Sequence, residues 1–65
     1  MKAQYFPDTD TVLVTFHSRP VTQTKDLDES TLLDLDSNGN LISITIEHAR
    51  ERAEIANFSF KQVAA

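Results

Sequence analysis

Sixty-five residues bound a single small domain, and ten acids against six bases leave it a net charge of −4. With no cysteine the chain has neither a disulfide staple nor a thiolate zinc site, and only His17 and His48 remain as soft metal ligands. Seven acids and three bases fall within residues 1–36, so no basic stripe offers itself to phosphates, and an acidic surface matches a basic protein partner better than nucleic acid.

The chain opens with AQYF, a short candidate strand, and PDTDT, a cluster of turn residues. TVLVTF then alternates, with Val12, Val14 and Phe16 on one face and Leu13 and Thr15 on the other, so the first two strands read as a hairpin with a loop of about four residues. Pro20 ends this pattern. VTQTKDL is mostly polar and carries Lys25, the composition of a protected edge strand. Asp28-Glu29-Ser30 turns the chain into TLLDL, which places Leu33 and Leu35 on one face and Leu32 and Asp34 on the other. LISITIE follows, with Ile42, Ile44 and Ile46 inward and Leu41, Ser43, Thr45 and Glu47 outward.

Between these two strands stands DLDSNGN, Asp34 to Asn40. Asp34, Asp36 and Asn38, with Gly39 next, occupy the first, third, fifth and sixth positions of a calcium-binding loop. The twelfth position is Thr45, whose hydroxyl cannot replace the bidentate glutamate, and the flanks are strands where such a loop joins helices. Asn-Gly between alternating apolar runs is instead the signature of a two-residue type I′ hairpin, with both central residues at positive φ. The expectation is a hairpin without metal. A divalent-metal sensor using Asp34, Asp36 and Asn38 is the alternative.

From Glu47 the period changes. EHARERAEIA has good helix formers, and Ala49, Ala53 and Ala56 form a narrow small-residue stripe that can sit close on a sheet. Arg50 and Glu54 are an i,i+4 pair on the opposite side. Phe58 and Phe60 alternate as in a strand, while Phe60 and Val63 also continue the alanine stripe at helical spacing. The tail therefore reads as extended or loosely helical, docking on its own sheet or on a neighbouring chain.

No catalytic constellation appears. His17 beside Ser18 is too local for a nucleophile, base and orienting group in line, and one glycine excludes a phosphate-cradling loop. His48 with Glu47 reads as a surface pair at a helix start. The chain is expected to be no enzyme, to hold no cofactor and to lie in the cytoplasm, since its longest apolar-rich run, LISITI, is too short to span a membrane.

YFPDTDTVLVTF followed by DLDSNGNLISITIEHA resembles the small bacterial "domain of unknown function 2283" family. The family pattern has a Tyr-x-Pro-x-x-Asp start, an alternating strand, an Asp-x-Asp-x-x-Gly turn, an Ile-rich strand and an alanine-bearing helix start. Tyr5, Pro7, Asp10, Val14, Asp34, Asp36, Gly39, Ile44, Ile46 and Ala49 match it. Phe6, Ser43 and Thr45 depart from it, standing where relatives often carry an acid, a glycine and a glutamate. The tail looks like a cyanobacterial variant. The resemblance implies no established activity. Some relatives look like small partners encoded beside toxin-like proteins, which implies an antitoxin-like binding role.

The expected fold is α+β. An antiparallel β-meander of four to five strands over residues 1–47 carries one C-terminal helix over 48–56, followed by a docking tail over 57–65. The expected inward set is Val12, Val14, Phe16, Leu33, Leu35, Ile42, Ile44, Ile46, Ala49, Ala53 and one or both tail phenylalanines. Leu13, Leu32 and Leu41 would form an apolar patch on the second face, and together with Phe58, Phe60 and Val63 they are the candidate interface of a homo-oligomer.

Overall fold

A computed structural model describes residues 1–53 and 61–63 of the chain. Five strands form one antiparallel sheet: β1 (Lys2–Phe6), β2 (Thr11–Thr15), β3 (Gln23–Asp28), β4 (Thr31–Leu35) and β5 (Leu41–Ile46), followed by the short helix α1 (Ala49–Arg52). The fold is the expected α+β meander with one helix. Its spatial order is β1-β2-β5-β4-β3, so β5 is central and β1 and β3 are the edges. Strands β3, β4 and β5 form a continuous meander, and the β1–β2 hairpin is added to the free side of β5.

Local sequence explains each connection. The β1–β2 loop has four residues, Pro7 to Asp10, since Phe6 pairs with Thr11. Proline presets the turn, the Asp10 amide donates to the Pro7 carbonyl at 3.4 Å, and Asp10 takes φ 52, a left-handed value that Asp tolerates better than most residues. Asp28 and Thr31 pair across Glu29-Ser30, where the Asp28 carboxylate accepts from the Ser30 amide at 2.8 Å. The connection from β2 to β3 spans 16–22 and passes the end of the sheet where β4 turns into β5. There the Thr22 amide donates to the Leu35 carbonyl at 2.9 Å.

Register sorts the side chains. Val12 pairs with Ile46 and Val14 with Ile44, while Leu33 also faces Ile44 and Tyr5 faces Val12. These form the apolar face. The opposite face carries Leu13, Thr15, Thr24, Asp26, Leu32, Asp34, Ser43 and Thr45, largely polar as a wet antiparallel face should be. A bulge interrupts the β4–β5 ladder: Asp34 pairs with Ser43 but Leu35 with Leu41, which leaves Ile42 as the extra residue. The bulge carries Leu41 to the side of Leu35. The expected second-face trio is thus reduced to Leu13 and Leu32, which flank Thr45 in one row.

The core is thin. Among the described residues only Ile42 (4% exposed) and Ala49 (0%) are buried hydrophobics, and no large side chain is fully buried. Val12, Val14, Phe16, Leu33, Leu35, Ile44 and Ile46 are half-buried, and Ala53 is exposed. The helix ends at Arg52, with Ala53 already extended at φ −154, whereas the sequence pattern carried it to Ala56. The expected roles of Glu54, Ala56, Phe58 and Phe60 fall outside the described residues. Val63 is 76% exposed. Among the described residues no helix is long and apolar enough to cross a membrane.

Candidate functional site

The calcium-like stretch forms the β4–β5 loop, and its chemistry is used internally. The Asp36 carboxylate is 8% exposed. Its Oδ1 accepts from the amides of Asn38 and Asn40, both at 2.9 Å, and its Oδ2 accepts from Asn40 Nδ2 at 3.3 Å and the Arg19 guanidinium at 3.5 Å. The backbone closes around it: the Asp36 amide donates to the Asn40 carbonyl at 3.0 Å, and the Gly39 amide donates to the Asp36 carbonyl at 3.1 Å. This is a three-residue loop, Ser37 to Gly39, in which only Gly39 has positive φ (+81). The expected type I′ turn, which requires Asn38 at positive φ as well, is replaced. A carboxylate that gathers two loop amides holds Asn38 at negative φ and leaves the left-handed position to glycine alone.

Asp34 does not converge with Asp36. It lies on the polar face and bridges three strands, accepting from Thr24 Oγ1 on β3 and Ser43 Oγ on β5, each at 2.7 Å. The three proposed metal ligands therefore serve different structural tasks: Asp34 crosslinks strands, Asp36 shapes the loop, and Asn38 supplies an amide. Among the described residues no group of three or more His, Asp or Glu side chains is placed to hold a metal ion. The Asp36 pKa is lowered from the ordinary carboxylate value, first by the Asn40 amide and then by the Asn38 amide, against a desolvation effect that raises it. Such a group stays ionised to serve its own backbone.

A second constellation sits at the other end of the sheet and escapes sequence reading. Chain leaving central β5 is clamped between the two hairpin turns. On one side the Glu47 amide donates to the Ser30 carbonyl at 2.8 Å. On the other the Ala49 amide donates to the Asp10 carbonyl at 2.9 Å, and the Arg50 amide to the Asp10 carboxylate at 3.2 and 3.4 Å. Between them His48 is forced to φ 54 and makes no side-chain cap. Asp10, forty residues away in sequence from Arg50, thus caps α1 in place of a local residue.

Asp10 is itself held by the Tyr5 hydroxyl, which donates at 2.7 Å, and the Arg50 guanidinium lies 5.8 Å over the Tyr5 ring. The hydrogen bond to Asp10 raises the Tyr5 pKa, because it favours the protonated phenol. Arg52 completes the clamp, donating to Thr31 Oγ1 and pairing with Asp28 at 3.1 Å. The Asp28 pKa is lowered, first by the Ser30 amide, with Thr31 and Arg52 adding to the effect.

Tyr5, Pro7, Asp10 and Ala49 are separated in sequence but meet in this clamp, so that part of the motif is a device for joining hairpin and helix. The available signal was an Asp within a turn cluster, Asp10, together with a helix start that lacks a local capping side chain. His48 lines an open groove with Glu29, Ser30, Glu51 and Arg52. His17 is exposed at the end of β2, its amide donating to the Ile42 carbonyl at 3.3 Å.

A family model described as "Protein of unknown function (DUF2283)" matches residues 2–50. The match runs from β1 into the first turn of α1, the span closed by the Asp10 clamp. No curated protein matches, and no solved structure matches.

Proposed function

This chain belongs to the DUF2283 family of proteins of unknown function, and on that premise we propose that it is a small non-enzymatic protein-interaction module that associates with itself. One observation carries the reading: the described residues build a single sheet layer whose apolar face stays half-open, with Ile42 and Ala49 as its buried hydrophobics. A sheet with one apolar face needs a second layer against it, and a four-residue helix at one end covers little of it. The carboxylates that resemble a site are occupied by backbone amides and hydroxyls, which supports a structural rather than a catalytic use of them. The acid excess of residues 1–36 supports a basic protein as a further partner, in line with the antitoxin-like role. Native mass spectrometry of the protein, alone and expressed with its genomic neighbours, tests the proposal. The expected result is a mass above one copy at micromolar concentration. A single-copy mass at every concentration, with no neighbour-encoded protein retained, refutes it.

A further inference from the structure

We propose that a second copy of this chain supplies the missing layer: two sheets stack apolar face to apolar face about a two-fold axis, with Val12, Val14, Leu33 and Ile44 at the centre. The inference rests on the self-association reading above and specifies which surface carries it.

Charge distinguishes the faces. On the three central strands the apolar face presents Val12, Val14, Thr31, Leu33, Leu35, Leu41, Ile42, Ile44 and Ile46, with no charged group. Its charges stand at the margins: Lys25 and Asp28 on edge strand β3, Arg52 at Asp28 and Thr31, and Arg50 over the Tyr5 ring on edge strand β1. A two-fold axis brings each surface against its own copy, so a central charge would meet its like. The opposite face fails on that ground, because it carries Asp34 next to its centre, with Thr24 and Ser43 bound to it.

Size is also adequate. The molecule measures 34 × 32 × 19 Å. The outline of its whole broad side, loops and edges included, is therefore on the order of 1,000 Å², an upper bound that leaves room for the about 800 Å² per partner of a standard interface.

Edges compete poorly. Strand β3 is guarded by Lys25, Asp26 and the bulge between Asp26 and Asp28. Strand β1 runs five residues in unbroken register and is an alternative route to a second copy.

The chain has no cysteine, so single-cysteine variants report the geometry directly. In one set Val14, Leu33 or Ile44 is replaced by cysteine. In the second set Leu13, Thr15 or Thr45 is replaced, and Gln4→Cys reports the β1 edge. Diamide oxidises two thiols to one disulfide, being itself reduced to the hydrazine. The bond forms only where β-carbons come within about 4.5 Å. The first set is expected to crosslink at low micromolar protein and the others not. Val14→Lys is expected to raise the dissociation constant at least about a hundredfold, since it buries an unpaired ammonium at the axis. Crosslinking by the second set or by Gln4→Cys overturns the face-to-face geometry and leaves self-association standing. A single-copy mass for the unmodified protein overturns both. A sheet covered by the C-terminal part of its own chain gives that same result.

Discussion

Replacing Gly39 by alanine separates backbone conformation from packing in the β4–β5 loop. Gly39 has φ +81, and a β-carbon built there meets no atom within 4 Å. The cost of the substitution is then conformational alone. Holding an L-residue in left-handed backbone costs about 1–2 kcal/mol, and in a domain this small each kcal/mol moves Tm by about 4–8 °C. Gly39→Asn is expected to cost roughly half as much as Gly39→Ala, because asparagine tolerates that region.

The comparison that matters is Asn38→Ala. In a type I′ turn Asn38 would share the positive φ, and both alanine variants would cost about the same. In the observed loop Asn38 has negative φ and contributes its main-chain amide to Asp36, so its side chain is dispensable. Asn38→Ala is expected to change stability by less than about 0.5 kcal/mol. Urea unfolding followed by far-ultraviolet circular dichroism, at one fixed protein concentration, gives both values. A neutral Gly39→Ala, or an Asn38→Ala as costly as Gly39→Ala, would refute the loop assignment.

Stability should fall at both ends of the pH scale. Asp36 and Asp28 have folded-state pKa values below the model carboxylate value of 3.8, so their contribution is full above that value and disappears as pH falls through the lowered ones. Tyr5 is raised above 10.0, so its contribution is full below that value and disappears as pH rises through the raised one. Thermal melts across pH should show Asp36→Asn flattening the acid limb and Tyr5→Phe the alkaline one; unchanged limbs count against these assignments. His48→Gly should stabilise by up to about 1 kcal/mol, because it relieves a left-handed non-glycine residue at φ 54. A destabilised His48→Gly would mean the imidazole contributes contacts that outweigh the strain. Ile42→Ala should cost about 2–4 kcal/mol by opening a cavity at the most buried large apolar residue described, and calorimetry reads it. Millimolar calcium should leave Tm unmoved, since Asp36 already serves two amides; a shift of several degrees would revive the metal reading.

The sequence by itself determined what depends on near neighbours. Alternation in TVLVT and LISITI set the strands and their apolar side, because side chains two apart share a face. Pro7 to Asp10 set a four-residue loop, and the polar run with Lys25 marked β3 as an edge. Tertiary structure decided what depends on distant partners. Two alternating segments do not state where a bulge falls, and the one at Ile42 moved Leu41 to the face of Leu35, away from Leu13 and Leu32. The sequence pattern placed β2 in a hairpin with β1, but the central position of β5 between β2 and β4 is a choice among pairings. The start of α1 is capped by Asp10 from the β1–β2 loop, a partner forty residues away that propensity cannot contain. DLDSNGN was legible as a turn with a glycine at its sharpest point. Only folding settled that Asp36 spends its charge on the loop's own amides while Asp34 faces the other way to join three strands.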